Sequence, residues 1–181
     1  MPKEWYVSFH GGEEKTSLNN IHVYSADGKK LRKALNKKSL PKGVRLRELR
    51  GFAFGPDKDL YVVNAYFEYS EVVRFRGPLN NDGQHDFVDV FVKRHAELNP
   101  GIDHPFNVAF DFNGDLYVSS QNTNLVARYH GPLSKTGKPG LGDRVCFELR
   151  NLFARSLVTI LFGYARAIWA FRLFKCVFAQ R

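Results

Sequence analysis

The sequence predicts an all-β fold, on three observations. Aromatic residues make up 14% of the chain, with sixteen Phe and eight Tyr, a composition that suits strands better than a helical bundle. A strand–turn–strand unit occurs twice, with a spacing near 55 residues. Gly, Pro, Asn and Asp recur between the apolar segments, where hairpins need them.

The repeat is explicit. Phe52-Ala53-Phe54-Gly55-Pro56-Asp57-Lys58-Asp59-Leu60-Tyr61-Val62-Val63 recurs, at an offset of 56, as Val108-Ala109-Phe110-Asp111-Phe112-Asn113-Gly114-Asp115-Leu116-Tyr117-Val118-Ser119. After a two-residue slip, Val72-Val73-Arg74-Phe75-Arg76-Gly77-Pro78-Leu79 matches Val126-Ala127-Arg128-Tyr129-His130-Gly131-Pro132-Leu133 at an offset of 54. A fainter copy pairs Trp5-Tyr6-Val7-Ser8 with Leu60 to Val63, and Ile21 to Tyr24 with Val72 to Phe75. Each full copy reads as a short apolar strand, a turn, a Leu-Tyr-Val strand, a polar loop and a third strand stopped by Gly-Pro. Leu125, Ala127 and Tyr129 alternate with Val126 and Arg128, the period of a pleated strand. Three to four antiparallel strands per repeat is the blade plan of a propeller. The expected architecture is therefore a partial β-propeller of about two and a half four-stranded antiparallel blades over residues 1–145, with repeats at about 1–48, 49–103 and 104–145. A closed propeller needs at least about four blades. Open blade edges predict self-association, a truncated relative of a longer protein, or an incomplete ring.

The stretches Phe52 to Asn64, Glu71 to Pro78 and Asn107 to Pro132 resemble NHL-type propeller blades, also seen in streptogramin-lyase-like and gluconolactonase-like propellers. The resemblance covers roughly residues 5–145. Lys58 departs from it, since such blades usually carry Gly there. The resemblance implies a propeller fold but leaves function open, because propellers host many activities. By fold analogy, ligands meet one rim and the mouth of the central channel, which makes the strand-end residues Arg50, Asn64, His104, Asn107 and Ser120 ligand-facing candidates. Gluconolactonase-like propellers hold an axial divalent metal through Glu and Asn side chains. Asn107 lies near the matching place but two residues after Pro105, not directly after it, and reads better as a turn or strand-start residue. Some NHL propellers bind RNA.

Charge is unevenly placed. The net +9 divides into +7 over residues 1–50, −4 over 51–148 and +6 over 149–181. Residues 29–50 hold ten basic residues and one acid. Lys29, Lys30, Arg32, Lys33, Lys37 and Lys38 form a candidate basic contact surface for phosphates or an acidic protein. The competing reading is a solvated outer strand and loop with Leu31, Leu35, Leu40, Leu46 and Leu49 buried. No aromatic residue is interleaved in this segment, so base stacking has no support within it.

Residues 146–181 leave the repeat for a non-repeat apolar and basic tail. From Ser156 to Phe171 only Arg166 interrupts an apolar run, which as a helix is about 24 Å long, short for a membrane span. Three readings stay open: a helix covering the open blade edge, a weak membrane anchor, or a segment read in a shifted frame. The two cysteines, Cys146 and Cys176, make no disulfide or zinc framework. The charged start shows no secretory signal, so the expected compartment is cytoplasmic.

No nucleophile elbow, phosphate loop or His-Glu-x-x-His occurs in the sequence. Asp57/Asp59 and Asp111/Asp115 fall in turns, where Asp caps its own backbone. No catalytic residue, metal or cofactor is expected. The function expected is a non-catalytic propeller scaffold that binds a protein or other macromolecule. The alternatives are a lactonase- or lyase-like enzyme with axial Ca²⁺ or Zn²⁺, and RNA binding through residues 29–50.

Overall fold

A computed structural model describes residues 4–11, 16–66, 69–95, 99, 101–135 and 137–140, and the backbone of 142–148 and 178–180. The described residues form three four-stranded antiparallel sheets and one 3-10 turn at Lys37–Ser39. The all-β, propeller-like expectation holds.

The second sheet is the reference copy. β4 (Leu49–Phe54), β5 (Leu60–Asn64), β6 (Glu71–Phe75) and β7 (Phe87–Lys93) pair in chain order. The third sheet repeats it with β8 (Pro105–Phe110), β9 (Leu116–Ser120), β10 (Leu125–Tyr129) and β11 (Gly142–Glu148). In the first sheet β1 (Glu4–Phe9), β2 (Asn20–Ser25) and β3 (Lys30–Lys33) follow one another, and β12 (Phe178–Gln180) pairs with the free side of β1. Its register is that of an opening strand. Phe178 and Ala179 face Val7 and Tyr6, as Phe52 and Ala53 face Val62 and Tyr61. The faint first copy lacks an opening strand in sequence order, and β12 stands in that place. β11 runs through residue 145 to Glu148. Of the expected tail, residues 149–177 and 181 lie outside the described residues, as do the helix, anchor and shifted-frame readings of it. Among the described residues no helix is long and apolar enough to cross a membrane.

Two cores join the three sheets. One gathers Tyr6, Ile21 and Val23 of the first sheet with Phe52, Leu60, Val62, Val73 and Phe75 of the second. The other gathers Tyr61, Val63 and Val72 with Val108, Leu116, Val118, Ala127 and Tyr129 of the third. The second sheet is covered on both faces, so all five residues of β5 are buried. That is why its sequence is a continuous apolar run and not an alternation. A tyrosine of each earlier sheet meets a phenylalanine of the next edge-on: Tyr6 with Phe54 at 5.8 Å and Tyr61 with Phe110 at 4.9 Å between centroids. Outside the cores, His85 donates its N–H to Ala34 and accepts from Asn36, tying the first sheet to the second.

The repeated turn is a clamp. Asp59 accepts from the Arg74 Nε at 2.8 Å and the Gly77 N–H at 2.6 Å. Asp115 does the same with Arg128 at 3.0 Å and Gly131 at 3.2 Å. Asp57 and Asp111 accept from the backbone of their own turns and from the hydroxyls of Tyr61 and Tyr117. Gly114 sits at φ 85° in one turn, and Lys58 at φ 69° in the other. A side chain there costs about 1–2 kcal/mol, partly offset by the entropy a glycine loses. Lys58→Gly is therefore expected to raise stability by about 0.5–1 kcal/mol, read as a higher urea midpoint. An unchanged midpoint would show that the turn adapts to lysine without strain.

Candidate functional site

One rim collects the polar strand ends. β4 and β8 begin there, β5 and β9 end there, and β6 and β10 begin again, because neighbours in each sheet are antiparallel. β4 and β8 also contact each other, so side chains from the second and third sheets converge.

Arg50 is the centre of the cluster. Its Nε donates to Glu48 at 2.8 Å, and its Nη2 bonds the same carboxylate. The same Nη2 lies 3.3 Å from His104 Nε2, and the guanidinium carbon stands 5.0 Å from the Phe106 ring centroid. His104 Nε2 is 3.6 Å from Glu48 Oε1. Arg50, His104 and Phe106 are all partly exposed. His104 is held at φ 50°, a conformation that costs a residue with a side chain about 1–3 kcal/mol. Its N–H donates to Ser70 Oγ at 3.0 Å, and its carbonyl accepts from Gln121 at 3.0 Å. These bonds fix the ring beside Arg50 despite the backbone cost. Asn107 is exposed, and its side-chain oxygen accepts from the Val108 N–H at 2.9 Å. It approaches β4 where Gly51 leaves room: a Cβ on Gly51 would lie 2.0 Å from that oxygen.

Two candidates are placed otherwise. Asn64 is buried, not ligand-facing. Its oxygen accepts from the N–H groups of Arg47 and Glu48 at 2.9 and 3.2 Å, and its amide donates to Arg45 and to Glu71 Oε1 at 2.8 and 3.1 Å. Asn64 thus holds the strand that delivers Glu48 and Arg50. Ser120 is also buried, 2% exposed, with its hydroxyl unbonded among the described residues.

Sequence reasoning missed Glu48, Ser70, Glu71 and Phe106. Glu48 had a signal, as the sole acid within the basic residues 29–50. Glu71 had none, since a charged residue at a strand start reads as surface. It is 4% exposed. Burial pushes its carboxyl up to about 7, against the opposing hydrogen bond from Asn64 and the charge of Lys93.

The basic segment is less uniform than expected. Lys29, Lys30, Lys33 and Lys38 are exposed. Arg32 is engaged, with its fork on both oxygens of Glu4 at 2.7 and 2.8 Å and its Nε on the Gly83 carbonyl at 2.9 Å. Lys37 is partly buried and donates to the Thr16 carbonyl at 2.9 Å. Burial, then the Lys33 charge, lowers its pKa. β3 is an outer edge strand, and lysines on such an edge discourage pairing with other chains. Leu35, Leu46 and Leu49 are buried, whereas Leu31 is exposed.

Among the described residues no three His, Cys, Asp or Glu side chains gather to hold a metal ion. A hard cation takes about six to eight oxygens, and the Asn107 oxygen is committed to its neighbouring N–H.

No family model matches the sequence, and no curated protein matches it. Among solved structures the chain is similar to one described as a streptogramin B lyase structure, at 16% identity, with a TM-score of 0.38. The match covers 66% of this chain and 32% of that one, so the chain spans about a third of that structure's length. The likeness bears on neither activity nor ligand.

Proposed function

We propose that the chain is a non-catalytic, propeller-like binding module of the NHL type, and that it engages a protein partner through the rim where β4 and β8 begin. The observation that carries this reading is the Arg50–Phe106 stack, partly exposed and braced by Glu48 and His104. Arginine and aromatic side chains dominate the energetics of protein interfaces when pre-positioned in this way. Asn107 beside them supplies an exposed amide. The polar atoms of the cluster are mutually bonded, and no nucleophile–base pair stands among them, which supports recognition over chemistry.

Selection of short peptides on the full chain tests this reading. Peptides recovered against wild type are expected to lose at least about tenfold in affinity, about 1.4 kcal/mol, on Arg50→Ala or Phe106→Ala. Lys30→Ala, on the far edge, is expected to leave them unchanged. Peptides indifferent to Arg50 and Phe106 would place binding elsewhere, and metal-dependent lactone hydrolysis would make the chain an enzyme.

A second reading is RNA binding through residues 29–50. The four exposed lysines favour it, and they lie together on β3 and the loops around it. Each phosphate neutralised makes affinity fall with salt. A salt-independent signal in a filter-binding titration with single-stranded RNA would dismiss it.

A further inference from the structure

The two full copies of the repeat share a turn plan but not a surface. The β4–β5 and β8–β9 turns, and the straps that follow β6 and β10, lie at the rim opposite the Arg50 cluster, where β4 and β8 end. They touch one another. A Cβ on Gly114 would lie 3.2 Å from Pro56 Cγ, one on Gly131 1.6 Å from the Gly114 carbonyl oxygen, and one on Gly77 2.0 Å from the Lys58 carbonyl oxygen. Three of the five large apolar residues exposed among the described residues gather on these turns and straps: Leu79, Phe112 and Leu133. Phe112 is 97% exposed. The turn does not need its ring, because Pro56 holds the same place in the second sheet, where the same aspartate–glycine bond closes the clamp. Lys58, Lys135 and Lys138 are exposed on the same segments. Lys135 and Lys138 share the loop of Leu133, which is tied to its own start by bonds from the Ser134 N–H to Gly131 at 3.1 Å and from the Gly140 N–H to His130 at 2.9 Å. The clamp carboxylates are engaged: Asp57 and Asp59 with Arg74, Asp115 with Arg128, and Asp111 with its own turn. Exposed Arg76 and Asp82, around the loop after β6, offset each other.

We propose that this rim docks on the surface of an anionic phospholipid bilayer, with Phe112, Leu133 and Leu79 entering the headgroup boundary and the three lysines meeting lipid phosphates. Single exposed apolar residues need no explanation, but a clustered set marks a contact. The lysines name the occupant. Protein interfaces favour arginine with aromatic residues and are depleted in lysine. Phenylalanine and leucine flanked by lysine is the composition of an interfacial anchor on anionic lipid. The apolar residues come from one end of two adjacent sheets, an arrangement that meets a plane and needs no cleft in its partner. The clamp bond from the Gly131 N–H to Asp115 holds strap and turn together, so docking orders little that is not already fixed. The proposal stands apart from the Arg50 reading, because the two rims are at opposite ends of the strands.

Co-sedimentation of the full chain with vesicles tests it. Binding is expected to vesicles of phosphatidylcholine mixed with phosphatidylserine and to fall as salt is raised. Binding to phosphatidylcholine alone is expected to be at least about tenfold weaker. Phe112→Ser is expected to lower partition at least about tenfold, and Lys135→Glu combined with Lys138→Glu by about the same factor. These side chains are exposed, so circular dichroism of the variants is expected to match wild type. Leu31→Ser removes an exposed leucine from the outer strand β3 and is expected to leave partition unchanged. Phe112→Trp reads depth: its added emission is expected to be quenched by lipids brominated on their acyl chains. Wild type that ignores phosphatidylserine vesicles at low salt overturns the proposal, and if it instead binds poly-glutamate in a Phe112-dependent way the partner is an acidic protein. Vesicle binding that survives Phe112→Ser overturns it too, by placing the lipid contact elsewhere. So does emission from Phe112→Trp that brominated chains leave unquenched, since the rim then stays clear of the bilayer.

Discussion

Gly131→Ala is expected to cost about 3–5 kcal/mol, enough to leave much of the protein unfolded. A Cβ at this position would lie 1.6 Å from the Gly114 carbonyl oxygen and 2.6 Å from its carbon. Both are backbone atoms of the β8–β9 turn, so no side chain can swing aside. Relief requires the strand end after β10 to retreat, which breaks the bond from the Gly131 N–H to Asp115 and loosens the Arg128 contact to the same carboxylate. Asp115 is 5% exposed, and a buried carboxylate stripped of donors is itself costly. Gly77 is the same device in the second sheet, with a Cβ 2.0 Å from the Lys58 carbonyl oxygen. Gly28→Ala is the control. Unlike Gly131 it is left-handed, at φ +85°, and nothing lies within 4 Å of its Cβ. It should lose only about 1–2 kcal/mol from backbone strain. Urea denaturation of the three variants separates the two mechanisms. A loss at Gly131 no larger than the strain loss at Gly28 would mean that the β8–β9 turn yields to the added methyl and that the clamp is not closed.

That clamp explains why the fold was legible. The repeat announces itself through Asp59, Arg74 and Gly77 and their copies Asp115, Arg128 and Gly131, each fixed by a bond or a contact distance and so hard to vary. The Leu-Tyr-Val strands are legible for a different reason: β5 is covered on both faces and must be apolar throughout. β7 and β11 follow long loops and carry no such constraint, and neither stood out from sequence. β12 is separated from its partner β1 by most of the chain, a pairing no local pattern encodes. At the site, Arg50, His104 and Asn107 come together at one rim. Asn64 does not, because a strand-end polar residue looks the same in sequence whether it meets solvent or the backbone of a neighbouring strap. Glu71 was missed for the converse reason, since burial of a carboxylate is decided by the sheet packed over it.

Buried Glu71 and buried His22 are expected to act on stability with opposite signs across the same acidic range. His22 is 2% exposed, and its Nε2 has no hydrogen-bond partner among the described residues. Burial, then the charges of Lys30 and Lys33, holds its pKa down to about 4 from 6.5. Between those values the unfolded chain binds more protons than the folded one, so stability falls as pH drops through 6.5 toward 4, by about 2 kcal/mol once solvent screening is allowed for. Glu71 is raised from 4.5 to about 7. Here the folded chain binds more protons, so stability is full below 4.5 and falls as pH rises toward 7, by about 3 kcal/mol. In wild type the two slopes oppose each other between 4.5 and 6.5 and leave a shallow profile. Glu71→Gln removes one of them, and its stability should climb by about 2 kcal/mol over that range. His22→Leu removes the other, and its stability should decline by about 3 kcal/mol from pH 4.5 to 7. Urea midpoints measured at half-unit steps decide the matter. A flat profile in Glu71→Gln would mean that His22 is solvated, and a flat profile in His22→Leu would mean that the Glu71 carboxylate finds a cation when it ionises. If both slopes appear, Glu71 is a group whose charge the fold resists at neutral pH. It is hydrogen-bonded to the same Asn64 that positions Glu48 and Arg50, so its ionisation state reaches the rim through one shared amide.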